Sequence, residues 1–159
     1  MSKSLAAFVI FGAVVGLMMP GVRSRSAAPE ATSTTYSAVP VETRVRRMEN
    51  GHFYVHALVN GQLVRFVVDT GATTVALTPD DAERAGIKVD ASSFQPIGMG
   101  AGGPIRGQEV RLDSLNLDGK QVNHLRAVVI DGADISLLGQ NYLSQIRSVQ
   151  MAGDEMILR

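Results

Sequence analysis

The spacing of apolar and polar residues changes character twice along the chain. Leu5 to Met19 is a run of fifteen uncharged residues behind Lys3, closed by Pro20-Gly21 and extendable to Val22. It has no polar face, unlike a helix lying on a protein surface. Its length falls between a signal-peptide core and a spanning helix of about 20 residues. Arg23 and Arg25 precede the weak cleavage pattern Ser26-Ala27-Ala28, so residues 1–22 read as a membrane anchor or signal segment that stays attached. Lys3 on one flank and two arginines on the other leave its orientation open. Residues 23–47 are rich in Ser, Thr, Ala and Pro without apolar periodicity, which predicts a linker.

From residue 48 onward short β-type alternation takes over. His52–Val59 and Gln62–Val68 are separated by Asn60-Gly61, a pair suited to a type I′ hairpin. The strand pattern resumes at Val75-Ala76-Leu77. Thr78-Pro79 then supplies an N-cap and a first helical residue, Asp80 and Asp81 the acidic first turn, and Gly86 the stop, predicting a short helix. Gly98–Pro104 is glycine-rich and lies between strand segments. Glu109–Leu117 and Val122–Ile130 predict a second hairpin around Asp118-Gly119. Ile135–Gly139 is a further apolar run, Asn141–Ile146 a short helix and Glu155–Leu158 a terminal strand. The sum is an all-β domain over residues 48–159, compact, closed and mostly antiparallel, with one or two short helices.

Composition narrows the chemistry. The 159 residues carry 15 Lys+Arg against 15 Asp+Glu, leaving no basic excess for nucleic acid. Cysteine is absent, which removes disulfides, thiol nucleophiles and Cys-ligated metals. His52 and His56 stand about 13 Å apart along a strand, too far for joint ligation, and His124 is isolated. No metal or cofactor is expected. The glycine-rich loop lacks the Gly-Lys-Ser/Thr of a phosphate loop. Carboxylates and hydroxyls remain.

Asp69 is the carboxylate to consider. Three apolar strand residues, Phe66-Val67-Val68, carry it toward the core, where an isolated charge is costly unless partnered. Asp before Thr70-Gly71 also commonly caps a turn through its own side chain. The tripeptide alone leaves both readings standing.

In its wider context, Phe66-Val67-Val68-Asp69-Thr70-Gly71-Ala72 resembles the active-site signature of retropepsin-like aspartic proteases. Gly98–Gly103 falls where such enzymes carry a flap, and Ile135-Ser136-Leu137-Leu138-Gly139 resembles their second landmark, followed by a short helix. The resemblance covers residues 52–158 and, with the N-terminal segment, is greatest to the bacterial membrane-anchored members. It implies a closed retropepsin-like β-barrel and a membrane-tethered aspartic endopeptidase acting on polypeptides. It places the domain in the periplasm, on a single-pass anchor in the bacterial inner membrane. Asp69 would be the catalytic carboxylate, paired with Asp69 of a second subunit in a homodimer. Thr70, Gly71 and Ala72 would support it, Gly100, Ala101, Gly102 and Gly103 would form the substrate-binding flap tip, and Leu138 and Gly139 would pack beneath. Ala72 stands where pepsin-like enzymes carry Ser, so one hydroxyl donor is missing; this predicts an optimum of about pH 5 to 6. Viral members place two acids after their Asp-Thr-Gly-Ala and an Arg after the later Gly; here Thr73, Thr74 and Gln140 occupy those positions. The rival reading is a non-catalytic dimeric module that binds or scaffolds peptides on the same fold.

Overall fold

The computed structural model describes residues 39–100 and 103–159. The anchor, most of the linker and the flap-tip residues Ala101 and Gly102 lie outside the described residues. The described part contains strands β1 (Thr43–Arg46), β2 (Tyr54–Val59), β3 (Gln62–Val68) and β4 (Val75–Leu77), then helix α1 (Pro79–Arg84). Strands β5 (Gln95–Gly100), β6 (Gly103–Leu117), β7 (Lys120–Ile130) and β8 (Ser136–Leu138) follow. Helix α2 (Gln140–Leu143) and strands β9 (Val149–Ala152) and β10 (Glu155–Leu158) complete the chain.

The main sheet runs β2-β3-β8-β4-β7-β6-β5, and a further β2–β6 pairing closes its first six strands into a barrel. Asn60 makes both the turn and the closure. It takes φ 49° in the β2–β3 hairpin, and its Oδ1 accepts from the Asp113 and Ser114 N–H groups of β6 at 2.9 and 3.1 Å. The expected second hairpin forms at Asp118-Gly119, both at positive φ. Alternating strand residues bury Val55, Ala57, Val59, Val64, Phe66, Leu112, Leu115 and Val129 in one core, joined by Tyr142 from α2. Burying such side chains contributes about 1.5–3 kcal/mol each.

Three features depart from the expected pattern. First, the barrel is not wholly antiparallel: β3 pairs parallel with β8, and β4 with β7. Second, Thr43–Arg46, expected within the 23–47 linker, is a strand pairing antiparallel with β10, so the folded unit begins before residue 48. Its Val45 packs against the core while Arg44 and Arg46 face solvent. Third, β9 is a strand where the sequence predicts none, secured by its hairpin partner β10, and β5 carries the strand segment expected before Gly98 on into the glycine-rich run through its pairing with β6.

The two parallel pairings reveal an internal repeat. The register Phe66↔Ser136, Val67↔Leu137, Val68↔Leu138 becomes Ala127↔Val75, Val128↔Ala76, Val129↔Leu77 when residues 61 apart are exchanged. The β4–β8 partners, Ala76 and Leu137, exchange with each other. A strand-turn-strand-helix unit, β3 to α1, therefore interlocks with a second, β7 to α2, about a local two-fold axis. Asp69 in the first unit corresponds to Ile130 in the second.

Candidate active site

The β3–β4 turn is built so that backbone donors converge on one carboxylate. Asp69 is half-buried; its Oδ1 accepts from Gly71 N–H at 2.8 Å and Ala72 N–H at 3.2 Å. Its own N–H donates to the Leu138 carbonyl at 3.1 Å, and its carbonyl accepts from Ala72 N–H at 3.3 Å. Among the described residues, Oδ2 has no hydrogen-bond donor. The carboxylate is thus fixed through one oxygen and free through the other. A Cβ at Gly71 would approach Oδ1 to 3.3 Å, which a larger residue would tighten further.

The segment from Leu138 to Asn141 holds this turn from the other unit. Gln140 N–H donates to the Ala72 carbonyl at 2.8 Å and Asn141 N–H to that of Thr73 at 3.0 Å. The Gln140 side-chain amide donates to the Thr70 carbonyl at 2.9 Å. Asn141 Oδ1 accepts from Val75 N–H at 2.9 Å, while its Nδ2 donates to the Arg126 carbonyl at 2.7 Å. Gly139 makes the approach possible, because a Cβ there would stand 2.5 Å from the Thr74 carbonyl oxygen. Leu138 is fully buried. The residues expected beneath the site, Leu138 and Gly139, are therefore in contact with the turn.

Sequence reasoning missed Gln140 and Asn141. The available signal was two amide side chains following an apolar-apolar-Gly run at a helix start. A second network supports β8 from behind. Ser136 Oγ, fully buried, donates to Asp81 Oδ2 at 2.5 Å and accepts from Thr78 N–H at 3.1 Å, and Arg84 pairs with the other oxygen of Asp81.

Beside Asp69 lies a cavity of about 380 Å³ lined by Asn50, His52, Tyr54, Val67, Ile135 and Leu137. Its floor is aliphatic. Its lining is also polar, where Asn50 donates to the Tyr54 hydroxyl at 2.7 Å. A larger cavity of about 720 Å³, by Pro40–Glu42 and Arg147, includes no residue of the turn. Volume does not decide between them; only the smaller contains the partly free carboxylate.

The glycine-rich segment is a hairpin. β5 and β6 pair through Met99↔Pro104 to Gly100↔Gly103, with an irregularity between Pro96 and Gly98. Pro104 is accommodated without ending the pairing. Gly103 takes φ 114°, and Met99 is largely exposed.

Residues 55–142, spanning the turn, the hairpin and the Gly139 segment, match the profile of the aspartyl protease family. The chain belongs to that family. A crystal structure of a retropepsin-like aspartic protease from Rickettsia conorii superposes with a TM-score of 0.64 at 31% identity, covering 74% of this chain and 90% of that one. An uncharacterized protein of Sinorhizobium is 35% identical over 131 residues, 81% of this chain and 56% of its own. Another, from Rickettsia prowazekii, is 32% identical over 117 residues, 74% of this chain and 51% of its own. The chain spans about half the length of these curated relatives. The aspartyl protease fold is retropepsin-like, with the Asp-Thr-Gly turn at the crossing of its two interlocked units.

Proposed function

We propose that this aspartyl protease family member is an aspartic endopeptidase whose active site is shared between two copies of the chain. The observation that carries the reading is the contrast between Asp69 and Ile130. In both units an Ala N–H closes the turn onto the carbonyl three residues back, Ala72 onto Asp69 and Ala133 onto Ile130, each at 3.3 Å. The second turn forms with no acid at that position. The turn therefore does not require the Asp69 carboxylate, which weakens the reading of Asp69 as a structural brace and with it the scaffold alternative.

Peptide hydrolysis of this type needs two carboxylates sharing one proton. One takes a proton from water as the oxygen attacks the carbonyl carbon; the other gives its proton to the carbonyl oxygen. Collapse of the tetrahedral adduct breaks the C–N bond as the amine is protonated. One chain contributes one such carboxylate, because Ile130 occupies the repeated position. A two-fold axis bringing Asp69 opposite Asp69 supplies the second, through an isologous interface. The aliphatic floor of the adjoining cavity suits an apolar substrate side chain, and the β5–β6 hairpin offers strand backbone to an extended peptide. The uncharged run Leu5–Met19 supports a membrane anchor, and the resemblance to bacterial membrane-anchored members would put the domain in the periplasm; tethering would raise the local concentration of partners.

The test is incubation of the full chain with an unstructured polypeptide from about pH 2 to 7 beside Asp69→Asn, which keeps the shape but cannot share the proton. Cleavage by the parent and none by the variant is expected. Equal behaviour would favour the peptide-binding module, and an optimum below about pH 3 would contradict the role given to Ala72.

A further inference from the structure

We propose that Gln140 is a positioning residue for the Asp69 turn, acting as an uncharged clamp on the backbone of Thr70; the catalytic part of this proposal rests on the peptidase reading. The turn from Asp69 to Thr74 presents outward carbonyls at Thr70, Ala72 and Thr73. Ala72 and Thr73 are held by main-chain N–H groups of Gln140 and Asn141, which any residue but proline could supply. Thr70 differs: its carbonyl accepts from the Gln140 side chain at 2.9 Å, so this one contact depends on residue identity. It also lies at the peptide unit between Asp69 Oδ1 and its Gly71 donor. The Thr70 carbonyl and the Gly71 N–H belong to the same planar amide. Fixing one end of that plane at Gln140 fixes the direction in which the other end donates to the carboxylate.

The geometry also explains why no charge is needed there. Thr73 and Thr74 follow the turn, so a cation at position 140 would have no acid beside it in the loop. An amide supplies the donor without adding a formal charge near Asp69, whereas an aliphatic side chain of similar length supplies none. Asn141, by contrast, joins Val75 to Arg126 and so braces the strands behind the turn.

The experiment compares the full-length parent with Gln140→Leu, Gln140→Glu and Gln140→Arg, measuring kcat and KM for peptide cleavage together with amide exchange at Gly71 and Ala72. Leu and Glu remove the donor; Arg restores one. Gln140→Leu and Gln140→Glu are expected to lower kcat about tenfold to a hundredfold with KM within about threefold, as expected for lost orientation. Exchange at Gly71 and Ala72 should accelerate while core amides such as Val64 stay protected, and Gln140→Arg, which restores a donor but adds a charge near Asp69, should recover the exchange protection. Unchanged exchange at Gly71 and Ala72 in Gln140→Leu would overturn the clamp, whatever the activity. Equal acceleration across the core, or no recovery of protection by Arg, would also overturn it by showing general destabilisation. If the parent itself cleaves nothing, the peptidase reading and the catalytic part fall together, while exchange still decides the clamp.

Discussion

The two interlocked units use the same strand register and the same turn-closing bond, yet only one ends in a carboxylate. At the first crossing, Asp69 draws the Gly71 and Ala72 N–H groups onto its carboxylate, and Gly71 stays outside the left-handed region. At the second, Ile130 has no such group and Gly132 takes φ 68°. The covering residues differ as well. Gly139 lies against the Asp69 turn with no room for a Cβ, while its counterpart Thr78 carries a side chain that caps α1 by accepting from Asp81 N–H at 3.1 Å. A fold that repeats itself has thus placed an acid at one of two equivalent positions and tightened the backbone around it.

The comparison can be broken at graded cost. Asp69→Asn should lower peptide cleavage by about a thousandfold or more, since the dyad loses its shared proton, with an unchanged thermal transition because the amide oxygen still accepts from Gly71 and Ala72. Activity within tenfold of the parent would remove the distinction between the two turns. Gly139→Ala forces a methyl toward the Thr74 carbonyl and should destabilise by about 2–3 kcal/mol, read as a lower denaturation midpoint. At the matching position of the other unit, Thr78→Ala should cost only about 1 kcal/mol, the worth of an N-cap. Similar losses at both positions would show that the close approach is not confined to the Asp69 side.

The smallest effect lies away from both turns, where Lys120 is buried and donates to the Val41 carbonyl at 2.6 Å and Thr43 Oγ1 at 2.9 Å. Burial holds its ammonium below the ordinary value of 10.5, with Asp118 partly opposing that shift. The unfolded chain therefore binds more protons between the depressed value and 10.5, so this group's contribution to stability rises with pH across that window. Lys120→Met should flatten that rise in denaturation midpoints measured from neutral pH to about pH 10. A parent and variant with parallel slopes would contradict it.

Much of this architecture is legible in the sequence because local and tertiary signals agree. Asn60-Gly61 and Asp118-Gly119 mark two hairpins, Gln62–Val68 and Glu155–Leu158 are strands as their alternation predicts, and Thr78-Pro79 opens α1. β1 was hidden because Thr-Arg-Val-Arg is four residues within a polar stretch, and its pairing comes from β10, more than a hundred residues away. The Gly98–Gly100 end of β5 was hidden by its glycines, whose weak strand preference is overridden by pairing with β6. At the site, Asp69 to Ala72, Leu138 and Gly139 were visible as motifs. Gln140 and Asn141 were not, since a hydrogen bond from an amide to a carbonyl 70 positions away leaves no local periodicity. The internal repeat escaped notice because few side chains are shared between the units, among them the Val pairs, Gly71/Gly132, Ala72/Ala133 and Leu77/Leu138.

The most direct measurement mixes parent and Asp69→Asn chains, after exchange of subunits, at constant total concentration and follows peptide cleavage against the parent fraction. If each active centre needs Asp69 from both members of a freely mixed pair, activity falls as the square of that fraction, to about a quarter at equal amounts. A linear decline, to about half, would mean that each chain works alone and would contradict the shared site.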